Sequence, residues 1–225
     1  MSGVLTSVVI GAKAKHTATV VWLHGLGDSG AGWSFLAEEL SPLFPFVKWI
    51  LPNAPTKRIT LNGGYPMPAW FDILGLDRSS LEHEDQKGML ESMAAVNRVI
   101  REEVDSGIPA DRIVLGGFSQ GCALSLLSGL TSEYKLAGIV GCSGWLVMAD
   151  KIKSMVAEAN KKTPILMCHG DADTVVQYKF GQESADHLKQ MGYNLTFNTY
   201  PGMAHSACPK ELIDISDFLK QRFAA

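Results

Sequence analysis

At 225 residues, with 46% hydrophobic side chains, the chain is sized for one large α/β domain or two small ones around an ordinary core. Its net charge of −3 and its lack of a basic or acidic tail exclude the electrostatic footprint of a nucleic-acid binder. The four cysteines, Cys122, Cys142, Cys168 and Cys208, form no C-x-x-C pair and read as buried thiols of a reducing compartment rather than a disulfide framework.

Val4 to Ile10 alternates loosely, as an edge strand does. Nothing before it resembles the basic start of a secretory signal, so a cytoplasmic protein is expected. Thr17 to Leu23 reads as a buried strand that runs into His24-Gly25-Leu26-Gly27-Asp28-Ser29-Gly30, a glycine-rich loop. Trp33 to Leu40 reads as a short helix stopping near Pro42, and Val47 to Leu51 as the next strand, closed by Pro52. Asn53 to Asp77 shows no clear periodicity and holds Pro55, Gly63, Gly64, Pro66 and Pro68 around Trp70 and Phe71. Loops this long in compact domains are uncommon and usually functional.

Met89, Met93, Val96, Ile100 and Val104 recur at spacings of three and four, which predicts a helix over Asp85 to Val104. Arg112 to Leu115 is a strand, and a helix from Gln120 to Leu130 follows it closely. Leu136 to Cys142 reads as a strand, Asp150 to Ala159 as a helix and Pro164 to Cys168 as a strand. A helix over Phe180 to Met191, capped by Gly192, leads to the last strand, Leu195 to Tyr200. A final helix carries Leu212, Ile215 and Leu219. This alternation predicts an α/β fold: a mostly parallel sheet with helices on both faces. No linker or repeat interrupts it, so one domain over residues 1–225 is expected, and the chain is too short for a large cap domain as well.

Between the strand at residue 115 and the helix at 120 lies Gly117-Phe118-Ser119-Gln120-Gly121. Strand, G-x-S-x-G, helix is the context of a nucleophile elbow, in which a sharp turn holds the serine hydroxyl above the sheet edge. A serine hydroxyl needs a base within hydrogen-bond reach, and the base needs an orienting acid. His205 is the candidate base, because it alone among the histidines lies beyond the acid candidates in a loop after a strand end. Asp171 and Asp173 both follow the strand ending at Cys168; one can orient His205, and the other would bond backbone N–H groups of a turn. An oxyanion hole needs two converging N–H groups. Gln120 supplies one by position, and Leu26 in the early glycine-rich loop is the candidate for the second. His24 and His169 at strand ends have no partner at ligand spacing, so no metal and no cofactor are expected. Met67, Trp70, Phe71 and Leu74 either line an acyl site or cover the core.

These pieces together resemble the acyl-protein thioesterase and lysophospholipase-type carboxylesterase family of small α/β-hydrolases. The resemblance rests on the loop His24 to Gly30, on Met67-Pro68-Ala69-Trp70-Phe71-Asp72-Ile73, on Gly116 to Gly121, on Cys168-His169-Gly170-Asp171-Ala172-Asp173 and on Gly202-Met203-Ala204-His205-Ser206. It implies the α/β-hydrolase fold, Ser119 as nucleophile, His205 as base and Asp173 as orienting acid, with Leu26 and Gln120 as oxyanion donors. It further implies that the stretch from Leu61 to Leu74 borders an acyl-chain channel. The expected substrates are S-acylated proteins, with lysophospholipids and other acyl esters as alternatives. A small-molecule receptor on a hydrolase scaffold is the non-enzyme alternative. The expected state is a monomer or weak homodimer, with peripheral membrane contact allowed. Where animal depalmitoylases of this family carry a cysteine for lipidation after the initiator Met, this chain has Ser2.

Overall fold

A computed structural model describes residues 5–77, 80 and 85–224; Ser2 lies outside them. Among the described residues nine strands form, in chain order β1 Ser7–Ile10, β2 Ala18–Leu23, β3 Val47–Pro52, β4 Thr56–Ile59, β5 Tyr65–Pro68, β6 Ile113–Phe118, β7 Gly138–Cys142, β8 Ile165–Gly170 and β9 Leu195–Tyr200. Seven make one sheet in the order β1-β3-β2-β6-β7-β8-β9. Every pairing is parallel except β1 with β3, so the expected edge strand is the one antiparallel member. The α-helices of the described residues are α1 Ser34–Leu40, α2 Gln86–Asp105, α3 Gln120–Thr131, α4 Ile152–Met155, α5 Tyr178–Gln190 and α6 Pro209–Phe223.

All six residues of β2 are buried, as in a strand covered on both faces. Val20 and Trp22 point to the side holding Leu36, Leu40, Ile215 and Leu219 of α1 and α6. Val21 and Leu23 point to the side holding Val96 and Ile100 of α2, Leu124 of α3 and Leu188 of α5. The two-residue period of the strand thus feeds two separate cores.

Two expectations fail. The stretch from Asn53 to Asp77 is not all loop: β4 and β5 form an antiparallel hairpin with Arg58 opposite Pro66. Prolines at 66 and 68 hide the strand signal, because proline is normally confined to edge positions. The helix expected over Asp150 to Ala159 shrinks to the four residues of α4 and a 3-10 turn at Glu158–Asn160. Val156 is extended there, and the Ala157 N–H donates to the Leu130 carbonyl at 2.9 Å, so docking on the end of α3 replaces the helix ladder.

Candidate active site

The loops after β2, β6, β8 and β9 all leave the same edge of the sheet, the carboxyl edge of the parallel strands, where open α/β sheets gather functional groups. Ser119 sits at the tip of the β6–α3 turn with φ 55° and ψ −118°, a conformation that non-glycine residues rarely adopt. The turn can form because the residues two before and two after Ser119 are glycines. A Cβ on Gly121 would lie 2.1 Å from the Leu23 carbonyl oxygen, and one on Gly117 would lie 2.5 Å from the Gly121 backbone. The Ser119 N–H is anchored on the Cys142 carbonyl at 2.8 Å, which ties the elbow to β7.

Ser119 Oγ lies 2.9 Å from His205 Nε2, and His205 Nδ1 lies 2.7 Å from Asp173 Oδ2. The Asp173 side chain is fully buried, and its Oδ1 accepts from the N–H groups of Val175 and Val176, each at 2.9 Å. Three donors therefore converge on the two oxygens of this carboxylate and fix its orientation. The proton between Asp173 and His205 belongs to Nδ1, which leaves the Nε2 lone pair facing the serine hydroxyl. This arrangement can draw the proton from Ser119 Oγ as that oxygen attacks a carbonyl carbon.

The two aspartates divide the work that the sequence left open. Asp171 does not reach the imidazole; its Oδ1 accepts from the Gly202 N–H at 2.7 Å, which pins the β9–α6 loop that carries His205. The Phe118 ring packs against the His205 ring at a tilt of 45°, with centroids 4.7 Å apart.

Gln120 is the first residue of α3, so its N–H has no partner within the helix and lies at the positive end of the helix dipole. Leu26 belongs to a loop pressed onto the elbow: a Cβ on Gly25 would meet the Ser119 Cβ at 3.3 Å. The His24 ring holds that loop in shape. Its Nδ1–H donates to the Gly25 carbonyl at 2.7 Å and its Nε2 accepts from the Ala54 N–H at 3.0 Å. Burial pushes its pKa down, which keeps the ring neutral in this role. Both His24 nitrogens are thereby engaged within the protein. His169 Nε2–H donates to the Val176 carbonyl at 2.8 Å, and burial likewise lowers its pKa.

Of the five residues expected to border an acyl channel, two are core residues in this structure. Trp70 is fully buried; its indole N–H donates to the His24 carbonyl at 2.8 Å, and its backbone N–H donates to Gln120 Oε1 at 2.8 Å. Phe71 is 1% exposed, with its carbonyl accepting from Gln120 Nε2 at 2.7 Å. A crevice of about 10 Å³ opens beside Phe71, Leu74, Met89 and Trp145, less than one water's share of liquid. Leu61 and Leu74 are exposed, and Met67 is half-buried on β5, whose Pro68 carbonyl accepts from the Gly27 N–H at 2.8 Å. The Gln120 side-chain clamp on residues 70 and 71 went unread in the sequence, because the elbow motif assigns that residue only through its backbone.

The phospholipase/carboxylesterase family model matches residues 5–223. Acyl-protein thioesterase 1 of Neurospora crassa is 51% identical over 222 residues, covering 96% of this chain and 91% of its own. Acyl-protein thioesterase 1 of Cryptococcus neoformans is 49% identical, covering 96% and 97%. Among solved structures, acyl-protein thioesterase 2 of Zea mays superposes with a TM-score of 0.85 at 38% identity, covering 96% of this chain and 98% of that one. The family match takes in every strand of the sheet, and with relatives this similar along nearly their whole length the chain belongs to the phospholipase/carboxylesterase family of α/β-hydrolases.

Proposed function

We propose that this chain is a serine hydrolase that cleaves acyl thioesters on proteins, with acyl esters as secondary substrates. Ser119 acts as nucleophile, His205 as general base and then acid, and Asp173 as the orienting carboxylate. Ser119 Oγ attacks the thioester carbonyl carbon while His205 Nε2 takes its proton. The Leu26 and Gln120 N–H groups hold the oxyanion, and the departing thiol leaves with the proton from His205. Water, deprotonated by the same imidazole, then releases the acid. The observation that carries this reading is the continuous relay from Ser119 through His205 to Asp173 in a chain half identical to a named acyl-protein thioesterase.

The acyl chain is assigned to the side of the site formed by Leu61, Met67 and Leu74 on and beside the β4–β5 hairpin, with Phe71 and Trp70 as its support. No helix among the described residues is long and apolar enough to cross a membrane, and three of the four free thiols are buried. We read the chain as one cytoplasmic domain that meets acylated proteins at membrane surfaces. The test is side-by-side hydrolysis of an S-palmitoyl peptide and lysophosphatidylcholine by the purified protein. The expected result is a thioester kcat/KM at least about tenfold the higher; the opposite preference would make the chain a lysophospholipase.

A further inference from the structure

Beneath the β7 and β8 ends, on the α6 side of the sheet, three side chains outside the relay converge. Cys142 and Cys168 are register partners on adjacent parallel strands, and Glu211 lies in the first turn of α6. All three are 1% exposed, and one ligand atom from each lies within 4.8 Å of the other two. The Glu211 carboxylate caps its own helix by accepting the Cys208 N–H, and it meets the Cys142 thiol. Its Oε1 is buried with no hydrogen-bond partner, and no ion pair of Glu211 is present among the described residues. The other acid that acts on it is Asp214, itself bonded to Lys210 and Tyr200. Tyr200 in turn reaches the Cys168 sulphur at 3.2 Å.

A buried carboxylate without a counter-charge is costly, and an orphaned buried oxygen calls for an explanation. In the metal-free chain the compensation is a proton: burial pushes the Glu211 pKa up to about 7. Contact with Cys168, then burial, holds the Cys142 thiol well above its ordinary value. Two sulphurs and a carboxylate oxygen, gathered within 4.8 Å of one another, are also the donor set of a borderline-soft divalent cation.

We propose that Cys142, Cys168 and Glu211 form a binding site for Zn²⁺, separate from the Ser119–His205–Asp173 relay. Binding exchanges protons for the ion. Both thiols lose theirs to become ligands, Glu211 loses its own where it carries one, and the protons go to solvent without any redox change. Affinity should therefore rise with pH, by at least about tenfold between pH 6.5 and 7.5.

The test uses full-length protein carrying Cys208→Ser, which removes the one thiol outside the buried set. Zn²⁺ is added from a chelator buffer, and metal content is measured after gel filtration. The expected result is one Zn²⁺ per chain, and X-ray absorption showing two sulphur ligands at about 2.3 Å. Adding Cys142→Ala or Cys168→Ala should abolish retention. Glu211→Gln should weaken it at least about tenfold, and Cys122→Ala should leave it unchanged. Folding of each variant is checked by turnover of a p-nitrophenyl ester. No retained zinc in the folded protein, retention that survives Cys142→Ala, or an absorption spectrum with only nitrogen and oxygen ligands would overturn the proposal. The absorption measurement needs no variant at the cluster, so it decides the matter even if the alanine proteins fail to fold.

Discussion

Replacing Asp173 with Asn should separate activity from stability, because the surroundings dictate how the amide sits. The carboxylate has two oxygens with different partners: Oδ1 accepts from the Val175 and Val176 N–H groups, and Oδ2 accepts from His205 Nδ1. An amide has one acceptor and one donor end. Two fixed backbone donors outweigh one imidazole, so the asparagine oxygen takes the Oδ1 position and its NH₂ faces His205. Nδ1 must then accept, the ring proton moves to Nε2, and Nε2 donates to Ser119 Oγ instead of receiving its proton. The expected loss in kcat is about 10⁴-fold, equivalent to roughly 5.5 kcal/mol of transition-state stabilisation. Both backbone bonds survive, so the loss of stability should be about 1 kcal/mol, a Tm shift of about 2–4 °C. Asp173→Ala is the contrast, because it also leaves two buried N–H groups without an acceptor at about 1–3 kcal/mol each. The assay is kcat on a soluble p-nitrophenyl ester, with Tm by calorimetry. An asparagine variant that keeps more than a tenth of wild-type kcat would refute the assignment.

Ser119→Ala should lower kcat by at least about 10⁴-fold and abolish labelling by a fluorophosphonate probe; labelling that persists would point to another nucleophile. Asp171→Asn weakens one bond to the Gly202 N–H on an exposed loop, so urea unfolding should register about 1 kcal/mol while kcat changes less than about threefold. Glu211 has a folded pKa of about 7 against an ordinary 4.5, so the folded state holds a proton that the unfolded chain has released between those values. Its contribution to stability therefore falls as pH rises through that window, by about 3 kcal/mol, and in chelator-treated protein Glu211→Gln should flatten the slope between pH 5 and 8. Leu74→Ala, at a residue 41% exposed, should reduce kcat/KM for p-nitrophenyl palmitate more than for the acetate. Trp70→Ala should instead cost about 3–5 kcal/mol of stability, and an unchanged Tm would restore Trp70 to the channel wall.

Much of the site was legible because its constraints are local. Gly117 and Gly121 flank Ser119 since no Cβ fits at either place, and that requirement is written directly into five consecutive residues. The parallel order of the sheet followed from the alternation of strand and helix patterns, whose apolar runs are continuous because both faces are covered. The choice between Asp171 and Asp173 was not legible from spacing. Both stand in one turn, and what separates them is which of two distant partners each meets, Gly202 or His205.

Long-range contacts account for the rest of what was missed. The apolar side chains of residues 67 to 74 look alike in sequence, yet their fates differ: Leu74 faces solvent, while Trp70 is drawn inward by the Gln120 amide and the His24 carbonyl, 50 and 46 residues away. An aromatic residue beside a catalytic edge can thus serve the site without touching substrate, by holding the two loops that carry Leu26 and Gln120 at a fixed separation. The same reasoning explains why Cys142, Cys168 and Glu211 carry no motif. Strand register joins the two cysteines and a helix cap brings in the acid, so their common chemistry exists only once β7, β8 and α6 have packed. Local chemistry fixed by backbone sterics can be read from neighbouring letters; chemistry assembled by packing has to be read from the fold.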